Sequence, residues 1–125
     1  MKTAAARARR KVLLVEDNPG DARLMREHLA DPAGHSFELE HVSTLTQGLE
    51  RLSRGGIDLV LLDLSLPDSP MPDTFQRVHA CAPEVPIIVM SGLDDEKFAI
   101  QTVQEGAQDY LVKSFVDGRD RKSVV

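Results

Sequence analysis

The hydrophobic residues of this chain form four short runs, each followed directly by a polar residue. The runs are Val12 to Val15, Leu59 to Leu62, Ile87 to Met90 and Tyr110 to Val112. Three of them are rich in β-branched residues, which is typical of buried strands in a parallel sheet. We therefore expect a strand at each run.

Segments of helical periodicity lie between the predicted strands. Asn18 can cap a helix that has Pro19 at its first position, and apolar residues then recur at helical spacing towards Asp31-Pro32. Further helices are predicted from Thr44 to Gly55-Gly56, from Asp73 or Thr74 through Cys81, and near Asp94 to Gln104. The alternating residues 37 to 42 predict a half-covered edge strand, and the third strand is expected to extend from Ile57 to Asp63.

This alternation of strands and helices predicts a single α/β domain. Strands separated by helices favour a doubly wound parallel sheet with helices on both faces. The chain has 125 residues, of which 42% are hydrophobic, and this is enough for one core. We expect a basic tail over residues 1–10, the domain over residues 11–116 and an atypical tail over residues 117–125.

Composition restricts the partners and the location of the protein. Twenty acidic residues against fifteen basic ones give a net charge of −5, which argues against direct binding of nucleic acid by the domain. The apolar runs are far shorter than the roughly 18 residues of a membrane span, and no secretory signal is evident. We therefore expect a cytoplasmic protein that does not bind membranes. The single cysteine, Cys81, allows no intramolecular disulfide.

The polar residues at the strand ends suggest a functional site. Glu16 and Asp17 follow the first strand, and Asp63, Ser91 and Lys113 follow the third, fourth and fifth. Parallel strands end at the same edge of a sheet, so these side chains should meet in one crevice there. Any one of them alone is explained as well by capping of a helix or loop, but five in register favour a binding site.

Three carboxylates in one crevice favour a divalent cation. Without a cation they would repel one another and raise each other's pKa. Magnesium suits an oxygen-lined, half-open site, because it retains waters and accepts one or two carboxylates together with a phosphate oxygen. Zinc would need His or Cys ligands. Lys113 is well placed to neutralise a transferred phosphoryl group.

These residues resemble the receiver domain of two-component response regulators. The resemblance rests on the pair Glu16-Asp17, on Asp63, on Ser91-Gly92 and on the segment from Gly106 to Lys113. It covers about residues 11 to 116. It implies a flavodoxin-like five-stranded sheet with the strand order 2-1-3-4-5.

The resemblance also implies a role for each residue of the crevice. Asp63 would be the phosphoacceptor, which attacks a phosphohistidine of a sensor histidine kinase or a histidine phosphotransfer protein. Asp17 and Asp63 would bind Mg²⁺, with Glu16 acting largely through water and the backbone carbonyl of Ser65 as a further ligand. Lys113 would pair with the phosphoryl group. The domain would catalyse its own phosphorylation and dephosphorylation and turn over no external substrate.

Two further residues are implied in signalling. The Ser91 hydroxyl would move towards the phosphoryl group, and Tyr110 would reorient. This switch would change the face formed by the fourth helix and the fifth strand, where the family commonly engages partners such as a downstream output protein.

Two departures from the family affect loops of the site. Ser114 follows Lys113 where the family usually has proline, which puts a cis peptide there in doubt. Met71 stands in the loop after Asp63 where the family generally has glycine. If that position has a positive φ, the loop is strained or rerouted.

The largest departure is at the end of the chain. Residues 114–125 contain few apolar residues, and the family's fifth amphipathic helix does not fit there. Part of one sheet face would then be uncovered, and such a patch invites a homodimer, exchange of elements or docking of another domain. A truncated or altered end is an equally good explanation.

Two other functions are compatible with the sequence. One is a phosphorylation-independent interaction module or phosphate sink on the same fold, which the missing helix favours and the complete set of site residues opposes. The other is a magnesium phosphohydrolase with Asp63 as nucleophile. Such enzymes usually carry a second aspartate two positions later, where this chain has Ser65.

Overall fold

The protein forms a five-stranded parallel sheet in a computed structural model that describes residues 9–29, 36–69 and 73–113. The strands are β1 (Arg9–Val15), β2 (Ser36–Val42), β3 (Leu59–Asp63), β4 (Ile87–Ser91) and β5 (Asp109–Val112). Their order across the sheet is β2-β1-β3-β4-β5, and each of the four pairings is parallel. The predicted flavodoxin-like topology is therefore confirmed.

Four α-helices connect the strands within the described ranges. They are α1 (Pro19–Leu29), α2 (Leu45–Ser53), α3 (Asp73–Cys81) and α4 (Glu96–Gln104), the last preceded by a 3₁₀ turn over Leu93–Asp95. The predicted starts of α1 and α2 are confirmed by their caps. Asn18 Oδ1 accepts a hydrogen bond from the Asp21 N–H at 3.0 Å, and Thr44 Oγ1 accepts one from the Gln47 N–H at 3.1 Å. None of the helices in the described ranges is both long and apolar enough to cross a membrane.

Four of the five strands begin at residues other than those predicted, and two of these, β2 at Ser36 and β5 at Asp109, begin only one residue early. β1 starts at Arg9, before the apolar run and inside the segment expected to be a tail. Its first residues pair with β2 through the backbone, which requires no apolar side chain and leaves no hydrophobic pattern. β3 starts at Leu59 rather than at Ile57. There the Asp58 N–H still donates to the Lys11 carbonyl at 2.8 Å, but the Lys11 N–H donates to the Asp58 carboxylate at 2.9 Å and not to a backbone carbonyl.

Helices pack against both faces of the sheet. On one face α2, α3 and α4 pack in the larger hydrophobic cluster, and on the other face α1 packs in the smaller one. Successive strand residues alternate between the faces, so Leu13 belongs to the larger cluster and Leu14 to the smaller. Burial on both faces explains why the strand sequences are continuous apolar runs rather than alternating ones.

Gly48 lets α2 approach the sheet closely. A Cβ atom at this position would lie 3.1 Å from Cγ2 of Val15 and 3.7 Å from Cγ2 of Val42. A Cβ atom here would be closer than ordinary van der Waals contact, so either Val15 or α2 would have to shift slightly.

Several predicted features lie outside the described residues. They are the basic residues 1–8, the chain near Asp31-Pro32, Met71 and its neighbours, the peptide after Lys113 and the atypical residues 114–125. The predictions made for them, including the uncovered face and the homodimer that it would invite, stay predictions.

Candidate functional site

The carboxyl edge of the sheet holds the polar residues that follow the strands. Glu16 and Asp17 follow β1, Asp63 and Ser91 are the last residues of β3 and β4, and Lys113 follows β5. Glu16, Asp63 and Ser91 are buried, Lys113 is half-buried and Asp17 is exposed. Because β1, β3, β4 and β5 are successive neighbours in the sheet, their ends bring these residues to one place.

Lys113 connects the carboxylates of the site. Its Nζ lies 3.3 Å from Oδ2 of Asp63, 3.1 and 3.3 Å from the two carboxylate oxygens of Glu16, and 2.9 Å from Oδ2 of Asp21. The side chains of Glu16 and Asp63 are only 1% and 2% exposed. A buried carboxylate is costly unless it is paired, so the ammonium group compensates the burial of both acids.

The arrangement of Glu16, Asp17 and Asp63 fits a divalent cation. One carboxylate oxygen from each residue lies within 4.8 Å of the other two. Asp17 is exposed, so the cluster has an open side. Carboxylate oxygens with an open side suit Mg²⁺, which keeps several waters, better than Zn²⁺, which prefers nitrogen and sulfur ligands. The donor set therefore fits the cation expected from the sequence.

The crowding of acids shifts the titration of the site. Burial, followed by hydrogen bonding to Asp63 and the negative charge of Asp63, raises the pKa of Glu16 to about 8, although Lys113 and the Asn18 N–H oppose this. Burial alone would lower the pKa of Lys113, but the charge of Asp63 and the contacts with Asp21 and Glu16 outweigh it and raise that pKa above its usual range. Lys113 is therefore an ammonium ion at neutral pH, whereas Glu16 resists ionisation beside Asp63.

The Asp63 carboxylate is held at both oxygens. Its Oδ1 accepts a hydrogen bond from the Ser65 N–H at 2.9 Å, and its Oδ2 faces Lys113 Nζ. The Leu64 N–H donates to the Met90 carbonyl at 3.0 Å, so the pairing of β3 with β4 continues past Asp63. The carboxylate thus has a defined orientation at the strand end, beside the exposed Ser65.

Ser91 and Tyr110 lie in different environments. Ser91 is fully buried. Among the residues that the structure describes, its Oγ is the one buried side-chain nitrogen or oxygen atom without a hydrogen-bond partner. Tyr110 is half-buried, and its hydroxyl donates to Oε2 of Glu96 at 3.1 Å. Ser91 therefore has an unused donor at the site, whereas Tyr110 is tied to α4.

Two contacts of the site were not predicted from the sequence. Asp21, in the first turn of α1, forms the shortest ion pair of Lys113. Its spacing gave a signal, since it stands four residues after Asp17 at the start of a predicted helix. His41 Nε2 donates to the backbone carbonyl of Glu16 at 2.7 Å. His41 lies in β2 and Glu16 directly follows β1, so the two residues are far apart in the sequence and no local pattern predicts their contact.

A family model described as the response regulator receiver domain matches residues 12–124. The chain belongs to the response regulator receiver domain family. The family expected from the motifs is therefore confirmed. A receiver is a signalling domain of two-component systems and not an enzyme in the ordinary sense, which argues against the phosphohydrolase hypothesis.

Curated relatives of this receiver are longer regulatory proteins. It is 33% identical over 111 residues to the regulatory protein LuxO of Vibrio cholerae, and 36% identical over 104 residues to the KDP operon transcriptional regulatory protein KdpE of Escherichia coli K12. The matches cover 89% and 83% of this chain, but 24% and 44% of the two relatives. The chain thus spans less than half the length of these relatives.

Solved structures of other receivers share the fold. The phosphorylated cyanobacterial phytochrome response regulator RcpA superposes with a TM-score of 0.72 at 25% identity, over 90% of this chain and 92% of that one. A response regulator receiver domain protein from Clostridium thermocellum gives a TM-score of 0.68 at 25% identity, over 92% and 98% of the two chains. The sheet and helices described above are therefore those of a receiver.

Proposed function

We propose that this receiver is a phosphoacceptor, in which Asp63 takes a phosphoryl group from a phosphohistidine of a sensor histidine kinase or a histidine phosphotransfer protein. The observation that carries the proposal is the contact of 3.3 Å between Lys113 Nζ and Asp63 Oδ2, inside a cluster with Glu16 and Asp17. A nucleophilic carboxylate, an ammonium ion and a candidate cation site thus surround one point. Phosphoryl transfer needs little more, because its catalysis is mostly positioning and charge neutralisation.

The transfer exchanges one bond to phosphorus for another. A carboxylate oxygen of Asp63 bonds to phosphorus while the bond from phosphorus to the donor histidine nitrogen breaks. The electron pair of the broken bond stays on the imidazole nitrogen, and the product is an aspartyl phosphate. In dephosphorylation a water oxygen bonds to phosphorus, the bond to Asp63 breaks, and the carboxylate returns as inorganic phosphate leaves.

The acidic cluster is the proposed magnesium site. When bound, Mg²⁺ supplies positive charge for the oxygens of the transferred group. Asp17 and Asp63 would hold the ion, with Glu16 acting largely through water and the backbone carbonyl of Ser65 as a further ligand. The exposure of Asp17 supports this assignment, because it leaves the cluster open on the side from which a donor arrives.

Lys113 and Ser91 are proposed to hold the transferred group. Lys113 already faces Asp63, and its ammonium charge offsets charge on the phosphoryl oxygens. Ser91 ends the strand next to that of Asp63, and its Oγ has no partner within the described residues. A phosphoryl oxygen gives that hydroxyl an acceptor.

The proposed output of the switch is the surface formed by α4 and β5. Tyr110 in β5 donates to Glu96 in α4, and loss of this hydrogen bond would alter that surface. A downstream output protein would recognise the change. Because phosphohistidine donors are made by kinases that consume ATP, the proposal includes a cytoplasmic location.

Incubation with Mg²⁺ and acetyl phosphate, followed by intact-mass measurement, tests the proposal. We expect a gain of one phosphoryl group that requires Mg²⁺. The variant Asp63→Asn should show no gain, because an amide is a poor nucleophile towards phosphorus. The variant Asp94→Asn changes an exposed acid on the 3₁₀ turn and should react like the unmodified chain.

The same experiment separates the alternative. No gain of mass in a chain shown to be folded would overturn the phosphoacceptor role. It would favour the phosphorylation-independent interaction module, in which binding is set by the exposed surfaces of the domain.

A further inference from the structure

Asp21 contacts the lysine of the site although it is not one of the expected site residues. Its Oδ2 lies 2.9 Å from Lys113 Nζ, closer than the nearest oxygens of Glu16 and Asp63, at 3.1 and 3.3 Å. The Asp21 side chain is 28% exposed. Unlike the two buried acids, it can be solvated by water.

The ammonium group of Lys113 has no N–H to spare. It carries three donors, and three carboxylates surround it. A phosphoryl group on Asp63 can take over the hydrogen bond that Asp63 accepts from Lys113, but it gains a second one only when Glu16 or Asp21 gives its own up. Glu16 is buried and accepts from Lys113 at both oxygens, so loss of the lysine would leave buried oxygens without that donor and without water, which is costly. Loss of the contact with Lys113 costs least free energy at Asp21, because water can replace the lysine as a hydrogen-bond donor there.

We propose that Asp21 is a positioning residue that competes with the phosphoryl group for Lys113 and thereby lowers the affinity of the site for that group. This inference rests on the proposed function. Removal of the Asp21 charge leaves Lys113 in place, since Glu16 and Asp63 still bind it. It also frees one N–H for the incoming group.

Fluoroberyllate, which bonds to a carboxylate and mimics an aspartyl phosphate, is the probe for this competition. Its affinity for the whole chain is measured calorimetrically in the presence of Mg²⁺. Asp21→Asn should bind it about two- to five-fold more tightly, the size expected for competition by a partly exposed ion pair. Asp21→Glu restores the charge and should return the affinity towards that of the unmodified chain.

Glu27→Gln is the matched control on the same helix. The Glu27 carboxylate lies 3.7 Å from Arg23 and is exposed, so its removal takes a negative charge from α1 without releasing Lys113. The affinity for fluoroberyllate should not change. Unfolding curves of each variant show whether the loss of a first-turn acid has altered the fold of α1.

A double-variant cycle shows whether Asp21 acts through the lysine. In a Lys113→Met background the gain from Asp21→Asn should disappear, because no ammonium remains to be released. A gain that persists in that background would mean general charge repulsion and would overturn the competition. Unchanged or weaker binding by Asp21→Asn alone would overturn it as well.

The experiment keeps the two proposals apart. If the unmodified chain neither binds fluoroberyllate nor gains mass from acetyl phosphate, the proposed function fails, and the role of Asp21 fails with it. If the unmodified chain does both and Asp21→Asn binds no more tightly, only the role of Asp21 fails.

Discussion

At the scale of the residue, Ser91 carries an energetic cost in the described structure. Its side chain is fully buried at the end of β4, and its Oγ has no partner in the described part of the chain. A buried hydroxyl in this state costs roughly 1–3 kcal/mol relative to a bonded one. A group that weakens the folded state at the carboxyl edge of a sheet is a candidate for a functional role.

Ser91→Ala should separate stability from binding. We expect the free energy of unfolding, measured in urea with Mg²⁺ absent, to stay the same or rise by about 1 kcal/mol, because an unpaired polar atom is removed. The affinity for fluoroberyllate with Mg²⁺ should fall about ten-fold, since one hydrogen bond to a charged acceptor is lost.

Ser53→Ala is the control for this change. The Ser53 Oγ donates to the Glu50 carbonyl at 2.6 Å on the exposed end of α2, away from the site. Its removal should leave the affinity for fluoroberyllate unchanged. A Ser91→Ala chain that is less stable and yet binds as well as before would show that the hydroxyl serves the fold alone.

At the scale of the element, Asp68 ties the loop after β3 to the start of α2. Its Oδ1 accepts the Leu45 N–H at 2.9 Å, and its Oδ2 accepts the Thr46 N–H at 3.0 Å and the Thr46 hydroxyl at 2.9 Å. Desolvation opposes ionisation, but the N–H groups of Thr46 and Leu45 outweigh it and hold the pKa of Asp68 below its usual range. The loop that leaves β3 is thus anchored to a helix N-terminus.

Asp68→Asn should destabilise the protein in a pH-dependent way. A folded-state pKa below the unfolded value means that the stabilisation is fully present above the usual value of 3.8 and is lost as the pH falls through the folded value. At pH 7 we expect the variant to be less stable by about 1 kcal/mol, as for loss of a helix cap. The difference should shrink below pH 3.8.

Denaturant unfolding between pH 7 and pH 2.5 measures this difference. Glu50→Gln, which removes an exposed acid from α2, should change stability little at either end of the range. If the difference in free energy of unfolding between Asp68→Asn and the unmodified chain stays constant with pH, the shape of the side chain, and not its charge, anchors the loop.

The elements that could be predicted are those with a local signal. β4 was predicted at its observed start, Ile87, because a continuous apolar run begins there, and α1 was predicted at its start because Asn18 and Pro19 mark a helix N-terminus. The early start of β1 could not be predicted, since it depends on backbone pairing with β2.

The same distinction applies to the candidate site. The gathering of its acids followed from the strand ends, because parallel strands finish at one edge. The contact of Asp68 with α2 joins residues 22 and 23 positions apart, and no spacing rule reveals it. The unpartnered Oγ of Ser91 depends on what surrounds it in three dimensions. Residue types at strand ends were therefore predictable, and their individual partners were not.

At the scale of the whole molecule, we expect the acidic cluster to couple cation binding to stability. Glu16 and Asp63 are buried near Asp17, and their mutual repulsion disfavours the folded state. A cation that binds only the folded chain reverses this effect. Its contribution reaches about 2.7 kcal/mol when its concentration is 100 times the dissociation constant.

Asp17→Asn should remove the response to magnesium without harming the fold. Asp17 is exposed, so no packing is lost, and with a chelator present its free energy of unfolding should equal or exceed that of the unmodified chain. Calorimetric melting should show that Mg²⁺ raises the Tm of the unmodified chain and of Asp94→Asn, but raises that of Asp17→Asn much less. An equal rise in Tm with Mg²⁺ for all three chains would show that the cation binds elsewhere.

The ion pair between Lys113 and Glu16 joins residues 97 positions apart. Lys113 reaches its place only after β5 has docked at the edge of the sheet. During synthesis, Glu16 and Asp63 can therefore meet before the lysine that balances them has left the ribosome. A nascent chain folded only as far as β4 would hold Asp63 without its ammonium partner, so the phosphoryl acceptance proposed above would require β5 to be made and docked first.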